Sequence, residues 1–377
     1  MRLLFVTGSR GEWGYIRPVL RVARALEVET SICVTNMHLL PQYGLSVDLI
    51  REDGFEVGDQ IYMAVDGDNH LAMAKSLGLF LVSFIDVLAR VRPDWIVLAG
   101  DRGEQLMGAI AGAYTYTPVA HIQAGELSGN IDGVTRHAVG KFAHLHFASN
   151  EDAAKRLLNL GEEESRVHLV GAPQLDELVE GRYTDLNDLE DRLALDLQQP
   201  YMLVVQHPVT DEYEHALAQI EATCQALRRF DMTKVCILSN NDAGAEVIRH
   251  GLLNSKHGRM HVFDNLRRED YLCLLRHTAC IVGNSSSGLL EAPTFRVPAV
   301  NLGTRQGDRL QARNVVNAPF DVEAIAAAIR RACSREFRET LWDAENPYGD
   351  GRSSGRILSI LRSTPKTATL LSKRLTY

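Results

Sequence analysis

A chain of 377 residues is too long for one ordinary hydrophobic core, which predicts two domains. Apolar residues make up 45% and charged residues 23%, as in soluble globular proteins, and the net charge of -8 argues against nucleic-acid binding. No apolar run approaches the ~18 residues that a membrane span needs. The first run, residues 3–6, is too short for the core of a signal peptide. We therefore expect a cytoplasmic protein without nucleic-acid or membrane partners.

Short apolar runs that alternate with helical patterns predict the fold class. In the first half the runs are residues 3–6, 31–35, 95–99, 119–123, 145–148 and 167–170. In the second half they are residues 202–205, 235–238, 261–263, 280–282 and 299–302. Alternation of this kind is typical of α/β proteins, whose parallel sheets are covered on both faces by helices. Two such series in succession predict two Rossmann-like domains.

The domain boundary is predicted after the Gly171-Ala172-Pro173 turn. We expect a first domain over residues 1–172, a second over 173–352, and a helix with a tail over 353–377. The segment 180–200 is polar and charged, which fits a connector with an exposed helix. The tail after Thr364 is basic, and we expect it to be mobile.

A Gly/Ser-rich turn at residues 283–288 follows one apolar run and precedes a predicted helix. Gly283 and Gly288 allow close backbone approach, and Ser285 and Ser286 add hydroxyl donors. The free N–H groups and the positive end of a helix dipole would complete an anion site. Glu291, one turn later, is placed to accept hydrogen bonds from a ribose. The alternative is a plain helix N-cap with a small-residue turn.

Further cationic and polar residues follow other apolar runs, where ligands bind in open parallel sheets. Arg10 lies in a glycine-containing turn that lacks the G-x-G-x-x-G fingerprint, and it predicts either a diphosphate or carboxylate clamp or a solvated side chain. His207, fixed by the following proline, suits phosphate binding or proton transfer. Asn241 is predicted to lie either at a polar edge of the ligand site or in a turn, and Arg305 follows the last apolar run. With the serines, these residues predict a diphosphate-sugar ligand.

Carboxylates after two runs of the first half predict acid–base chemistry. Asp101 follows the third run, where it would act as an acid or base, or alternatively as a helix N-cap. The segment 121–137 adds Glu126, Asp132, Arg136 and His137 directly after a buried run. We expect this group to face the ligand site.

Neither the histidines nor the cysteines form a metal-binding pattern. His144 and His146 share one face of a predicted strand, but no third ligand follows at a known spacing, so we expect structural roles. The six cysteines are scattered without a C-x-x-C pair, which is typical of reduced core residues.

Ten blocks, taken together and in this order, make the chain similar to a known enzyme family. The blocks are residues 6–10, 34–38, 100–102, 121–129, 136–137, 207–210, 240–242, 283–288, 303–306 and 348–351. The chain resembles the hydrolysing UDP-N-acetylglucosamine 2-epimerases of sialic-acid-type pathways, from Leu3 to about residue 360. No single block is specific.

The resemblance implies an architecture and a reaction. It implies a glycosyltransferase-B-like fold, with two Rossmann-like domains flanking a cleft and a C-terminal helix near residues 353–362 crossing back. It implies homodimers or homotetramers and no cofactor or metal. In the implied reaction a base removes the proton at C2, UDP leaves from C1, and water adds to the resulting 2-acetamidoglycal.

The same resemblance implies roles for individual residues. Asp101 and Asp132 would transfer protons, and His207 would lie near the diphosphate. Binding to phosphates, ribose and sugar is implied for Arg10, His38, Arg102, Arg136, Asn241, Gly283, Ser285, Ser286, Gly288, Glu291 and Arg305.

Two departures from the family pattern concern the sugar. Gln123 stands where the family has an acid–base Glu, and Gly133 stands where it often has an Asp. Chemistry would then rest on Asp101, Asp132 and Glu126, or the substrate differs. UDP-2,4-diacetamido-2,4,6-trideoxyglucose, on the route to legionaminic acid, is the candidate beside UDP-N-acetylglucosamine. The alternatives are a non-hydrolysing epimerase, a glycosyltransferase of the same fold, and a nucleotide-sugar sensor.

Overall fold

The computed structural model describes residues 1–41, 44–66, 70–127, 130–238, 245–256, 258–264 and 266–376. The chain forms two compact units. Unit 1 comprises Met1–Asp176 and Tyr348–Tyr377, and unit 2 comprises Glu177–Pro347.

Unit 1 is built on a parallel sheet of seven strands. The strands are β1 (Arg2–Thr7), β2 (Glu29–Thr35), β3 (Asp59–Ile61), β4 (Trp95–Ala99), β5 (Val119–Ile122), β6 (Leu145–Ala148) and β7 (Val167–Leu169). The helices are α1 (Arg10–Ala25), α2 (Val47–Glu52), α3 (His70–Val91), α4 (Gly103–Tyr114), α5 (Asn130–Phe142), α6 (Glu151–Asn159), α15 (Ser353–Ser363) and α16 (Ala368–Leu371). A short helix, α7 (Asp176–Val179), begins at the last residue of the first segment of unit 1 and continues into unit 2. The strand order is β3-β2-β1-β4-β5-β6-β7.

Side-chain alternation along β1 explains why this sheet is covered on both faces. Leu3 and Phe5 lie in one core cluster, and Leu4 and Val6 lie in a second cluster on the opposite face. Residues of α1, α15 and α16 join the first cluster, whereas residues of α3, α4 and α5 join the second. The tail after α15 was expected to be mobile, but Leu370 of α16 is buried in the first cluster. That expectation was wrong because the tail carries an apolar anchor.

Unit 2 contains a parallel sheet of six strands. The strands are β8 (Tyr201–Val205), β9 (Thr233–Ile237), β10 (Met260–Phe263), β11 (Cys280–Gly283), β12 (Ala299–Leu302) and β13 (Val315–Ala318). The helices are α8 (Leu186–Leu193), α9 (Ala216–Leu227), α10 (Ala245–Asn254), α11 (Arg268–His277), α12 (Ser287–Leu290), α13 (Val322–Cys333) and α14 (Arg335–Glu339). The strand order is β10-β9-β8-β11-β12-β13. The predicted α/β class with two Rossmann-like domains is confirmed.

Each sheet has one point at which the strand order reverses direction. In unit 1 this point lies between β1 and β4, and in unit 2 it lies between β8 and β11. Loops leave these neighbouring strands toward opposite faces, so a crevice opens at their carboxyl ends, where open α/β sheets bind ligands. The predicted residues Arg10, Asp101, His207 and Ser285 follow these four strands.

Helix α3 bears on the expectation that no apolar run is long enough for a membrane span. Among the described residues, Leu71–Val91 is long and apolar enough by length and composition, although Lys75 and Asp86 interrupt the linear run. About a third of its most apolar stretch is buried. Phe80 and Phe84 pack into the core of unit 1, as in a core helix of a globular domain.

Candidate active site

In unit 1, an ion pair at the carboxyl ends of β4 and β5 organises the predicted sugar-binding residues. The Arg136 guanidinium, buried on α5, donates to the Asp101 carboxylate and to the Gln123 carbonyl oxygen at 2.7 Å. The Asp101 side chain stays 22% exposed. Asp101 does not cap α4, because the cap position is Arg102 and has no side-chain cap hydrogen bond. A carboxylate that is fixed on one side and reachable from water suits proton transfer.

Charged residues surround this ion pair. Asp132 is exposed in the first turn of α5 and interacts electrostatically with Arg102, as does Asp101. The Arg102 Nε donates to Glu104 at 3.3 Å. Arg10, the first residue of α1, is exposed and forms no ion pair with a carboxylate in the described part of the chain. Arg10 is thus available for an anionic ligand.

Two buried carboxyl groups, which the sequence analysis did not single out, support the turn after β1. Glu12 accepts a hydrogen bond from the Gly8 amide, while Glu104 accepts from Asn36 Nδ2 at 3.1 Å. Burial and the neighbouring Glu104 raise the pKa of Glu12 well above its ordinary value. A Cβ atom on Gly8 would lie 2.0 Å from Glu104 Oε1, so a larger residue here would displace the Glu104 carboxylate. Arg102 is consequently held by Glu104 at the edge of a packed turn.

Gln123 contributes to the geometry through its backbone and its amide. Its φ of 62° places it in the left-handed region, and its side chain is almost fully buried. Its Nε2 donates to Gln174 Oε1 at 3.1 Å. The turn aims the Gln123 carbonyl at Arg136, while the side chain has no proton to exchange.

The structure corrects two predicted site residues. Glu126 is buried, and its Oε1 accepts from the Ser149 hydroxyl and from Asn150 Nδ2 at 2.6 Å, so the carboxylate anchors the start of α6 instead of exchanging protons. His38 is fully buried with its Nε2 3.0 Å from Thr7 Oγ1. Burial lowers the pKa of His38 to about 4. His38 therefore braces the end of β1 through Thr7.

In unit 2, Asn284 joins the ends of three strands. Its buried amide accepts from the His207 backbone N–H at 2.7 Å and donates to the His207 carbonyl at 2.9 Å. Its own carbonyl accepts from Arg305 Nη1 and from Gln306 Nε2, both at 3.1 Å. The loops after β8, β11 and β12 are thus held together by one residue that the sequence analysis passed over.

Glycines set the path of the turn after β11. Gly283 has a φ of 137°, and a Cβ there would lie 2.0 Å from the Val205 carbonyl oxygen. A Cβ on Gly288 meets Ala299 Cβ at 3.2 Å. These predicted ligand-binding glycines therefore act by allowing close packing of the turn against β8 and β12.

The predicted helix dipole at this turn is wrong, because α12 is only one turn long. The Ser287 amide donates to Ser285 Oγ at 3.3 Å, and the Gly288 amide donates to the Ser285 carbonyl at 3.2 Å. Ser285 and Ser286 remain half-buried. Their hydroxyl groups, rather than a macrodipole, are the groups that this turn offers to an anion.

His207 is neutral in the ligand-free chain. Burial, together with the nearby Arg305 charge, lowers the pKa of His207 to about 3. His207 therefore offers a neutral imidazole, and the charge beside it is carried by Arg305.

Glu291, predicted to bind a ribose, is buried and already paired. Its carboxylate accepts from the Arg268 guanidinium and from the Ser287 hydroxyl. Arg268 is a second residue that the sequence analysis missed, since it begins α11 and not a loop after a strand. Asn241 lies outside the described residues.

His144, which precedes β6, and His146, which lies in β6, both make contacts within unit 1. His144 Nδ1 accepts from the Val119 amide at 3.0 Å, and His146 Nε2 lies 3.0 Å from Glu162 Oε2. Within the described ranges, no group of three or more potential metal ligands occurs.

Comparisons with known proteins place this geometry in a family. The profile described as UDP-N-acetylglucosamine 2-epimerase matches residues 21–362. A UDP-N,N'-diacetylbacillosamine 2-epimerase (hydrolyzing) of Legionella pneumophila is 33% identical over 99% of this chain and 98% of its own length. A UDP-N-acetylglucosamine 2-epimerase of Neisseria meningitidis is 32% identical over 97% and 96%.

Solved structures agree on the fold. The crystal structure of UDP-GlcNAc 2-epimerase from Neisseria meningitidis bound to UDP-GlcNAc superposes with a TM-score of 0.84 at 21% identity, covering 97% of this chain and 100% of that chain. A complex of the Methanocaldococcus jannaschii UDP-GlcNAc 2-epimerase with UDP-GlcNAc and UDP gives a TM-score of 0.80 at 20% identity, covering 97% and 100%. The profile and the relatives span nearly the whole chain, and the chain belongs to the UDP-N-acetylglucosamine 2-epimerase family.

Proposed function

We propose that this enzyme is a hydrolysing 2-epimerase, which converts a UDP-linked N-acetylated amino sugar into UDP and the free 2-epimeric sugar. The observation that carries the proposal is the Asp101 carboxylate, which is held by Arg136 yet partly exposed and which, like Asp132, interacts electrostatically with Arg102. The 33% identity to the Legionella hydrolysing enzyme over nearly all of both chains supports it.

The reaction would proceed by elimination and then addition. Asp101 or Asp132 takes the proton from C2 as the C1–O bond breaks, and the bonding electrons leave with the UDP oxygen. Water then adds its hydroxyl to C1 of the glycal, while a proton returns to C2 from the opposite face. Gln123 cannot take part in proton transfer, so the two aspartates carry both steps.

Departure of UDP needs compensation of its negative charge. Arg305 would supply charge, and the hydroxyls of Ser285 and Ser286 would donate to phosphate oxygens. Neutral His207 would donate one hydrogen bond to the diphosphate. The negative charge of the departing UDP would thus be stabilised by few positive charges and several neutral hydrogen-bond donors.

The proposed substrate is UDP-2,4-diacetamido-2,4,6-trideoxyglucose, which feeds synthesis of legionaminic-type acids in the cytoplasm. Gln123 and Gly133 remove two carboxylates that the family pattern has near the sugar, and the Legionella relative is named for this sugar. Free, mostly buried cysteines agree with a reducing compartment. UDP-N-acetylglucosamine is the second candidate, because it is the substrate named for the Neisseria relative.

Proton NMR in D2O with each UDP-sugar separately tests the proposal. Free 2-epimeric sugar with deuterium at C2, together with UDP, is the expected result with the diacetamido sugar. Deuterium at C2 of a sugar still linked to UDP would show a non-hydrolysing epimerase. Transfer only when an acceptor sugar is added would show a glycosyltransferase, and tight binding without any change would show a sensor.

We also propose that the enzyme is a homodimer that pairs through α3. The outer face of α3 exposes large apolar side chains, namely Leu71, Leu79, Val82 and Ile85. Monomeric proteins in water seldom expose a contiguous patch of this kind. Lys75 lies four residues before Leu79, and Asp86 lies four residues after Val82. Both side chains are exposed. A two-fold axis midway between Leu79 and Val82 would pair Lys75 with Asp86 of the second copy.

The oligomer is tested with Val82→Asp, which places a charge at the centre of that face. Light scattering is expected to show a fall from two chains to one. Leu217→Asp, at a position of unit 2 that is 53% exposed, is the matched control and should leave the mass unchanged. A Val82→Asp protein that keeps the wild-type mass would overturn the assignment of this face.

A further inference from the structure

The C-terminal segment is bound to unit 1 by specific contacts. The Arg166 guanidinium donates to the carbonyl oxygens of Leu370 at 2.8 Å and Thr369 at 3.0 Å. The Thr376 amide donates to the Gly161 carbonyl at 3.0 Å. We call residues 366–376 the C-terminal clasp.

Lys373 of the clasp reaches the end of helix α5. Its ammonium group donates to the carbonyl oxygens of Gly140 at 2.5 Å, Ala143 at 2.9 Å and Lys141 at 3.3 Å, and its side chain is 10% exposed. The last carbonyls of a helix have no partner within the helix, and the helix dipole makes that end negative. Lys373 therefore satisfies both the hydrogen bonds and the charge at the end of α5.

A buried carboxylate joins the clasp to the same helix end. Glu162, with a side chain 1% exposed, lies 2.5 Å from Lys373 Nζ, 3.1 Å from Lys141 Nζ and 3.0 Å from His146 Nε2. A buried ion network is costly when one partner is withdrawn. The docked position of the clasp is thus coupled to the position of α5.

The other end of α5 carries residues of the candidate active site. Asp132 lies in its first turn, and Arg136 holds both Asp101 and the Gln123 carbonyl. A helix of this length is a rod of about 20 Å, so its two ends move together. Displacing reacting groups by about 1 Å can cost about a hundredfold in rate.

We infer that Lys373 is a positioning residue for the epimerase reaction, which sets the place of Asp132 and Arg136 by fixing the far end of α5. The inference rests on the proposed function for its kinetic part. Its structural part, the coupling of the clasp to α5, stands on the contacts alone.

The test uses Lys373→Met in the full chain, with Arg374→Met as the matched control, because Arg374 is an exposed cation beside it. For Lys373→Met we expect kcat to fall about tenfold or more, with unchanged KM for the UDP-sugar and unchanged Kd for UDP. Hydrogen exchange of the α5 amides is expected to become faster. Arg374→Met should match the wild type in all four measurements.

Each other result has a defined meaning. An unchanged kcat, or a Kd for UDP that rises in step with the loss of kcat, would overturn the inference. If Lys373→Met does not fold, Leu370→Ala loosens the clasp without touching the ion network and should give the same pattern to a smaller degree. A wild-type chain without turnover on any UDP-sugar would overturn the proposed function, whereas faster exchange in α5 of Lys373→Met would still support the clasp.

Discussion

The site residues of unit 1 and those of unit 2 are built in different ways. In unit 1, full charges balance one another at the strand ends, with Arg136 against Asp101 and Arg102 against Glu104. In unit 2, the loops are held by the neutral amide of Asn284, and His207 is uncharged. Charged networks are sensitive to each partner, whereas amide networks depend on shape and on complete hydrogen bonding.

This difference suggests how substrate preference changes within such a fold. The nucleotide is the same for every UDP-sugar, so a turn fixed by Asn284 and Gly283 can stay constant. The sugar varies, and the balanced charges of unit 1 can be altered one residue at a time, as with Gln123. The three experiments below test whether the two regions behave differently, beginning with the largest expected effect.

Asp101→Asn, in the charged site of unit 1, should have the largest effect on turnover. We expect turnover to fall by about 10²–10⁴-fold, since the residue loses its ability to carry a proton, while the affinity for UDP stays within about twofold. Turnover is followed by release of UDP, and affinity by calorimetry. Asp48→Asn, at a surface carboxylate paired with Arg51, is the control for charge removal and should be silent. Near-normal turnover in Asp101→Asn would exclude its role in proton transfer.

Acid should destabilise unit 1 more than unit 2. Burial lowers the pKa of His38 and His144 to about 4 and that of His121 to about 3, all in unit 1. In unit 2, His207 has a pKa of about 3. Because the unfolded chain binds these protons near pH 6.5 and the folded chain does not, this stability is present above pH 6.5 and is lost as the pH falls toward 3 to 4.

Between pH 6.5 and 5 each of these histidines should cost about 1.6 kcal/mol, which is about 5 kcal/mol in unit 1 against about 1.6 kcal/mol in unit 2. Hydrogen exchange, measured region by region at both pH values and corrected for the intrinsic rate, checks the order. His207→Gln should remove most of the loss in unit 2. Earlier opening of unit 2 would contradict the comparison.

Asn284→Ala should weaken UDP binding by the loops of unit 2 without changing the ion pairs of unit 1. It leaves the His207 N–H and carbonyl without their partner, which costs about 1–3 kcal/mol, so we expect the Kd for UDP to rise about 10-fold to 100-fold. Asn317→Ala, at an exposed position of the edge strand β13, is the matched control. If UDP binds Asn284→Ala as tightly as the wild type, the turn does not depend on this amide.

The fold could be predicted from the sequence to a large extent because buried parallel strands are apolar runs. All eleven predicted runs coincide with strands. The edge strands β3 and β13 were missed, since Asp59-Gln60-Ile61 is short and polar and Val315–Ala318 includes an exposed Asn317. An edge strand pairs on one side only and needs a weaker apolar pattern.

The candidate site could be predicted only where residues directly follow strands. Asp101 and Arg305 were found by that rule. Arg268 was missed because it begins α11 and does not directly follow a strand. Asn284 does follow β11, but its importance arises from tertiary hydrogen bonds that bring distant loops together. Glu126 was predicted wrongly for the same reason, as nothing in the local pattern indicates that Ser149 and Asn150 will bind its carboxylate.

The return of α15 and α16 to unit 1 has a consequence for biosynthesis. Unit 2 is an insertion within unit 1, and its last residue precedes the segment that unit 1 needs to complete its core. During synthesis from the N-terminus, unit 2 has all its residues while unit 1 still lacks Ile357, Leu358 and Leu370. Unit 1 therefore cannot complete its core until these residues, which follow all of unit 2, have left the ribosome.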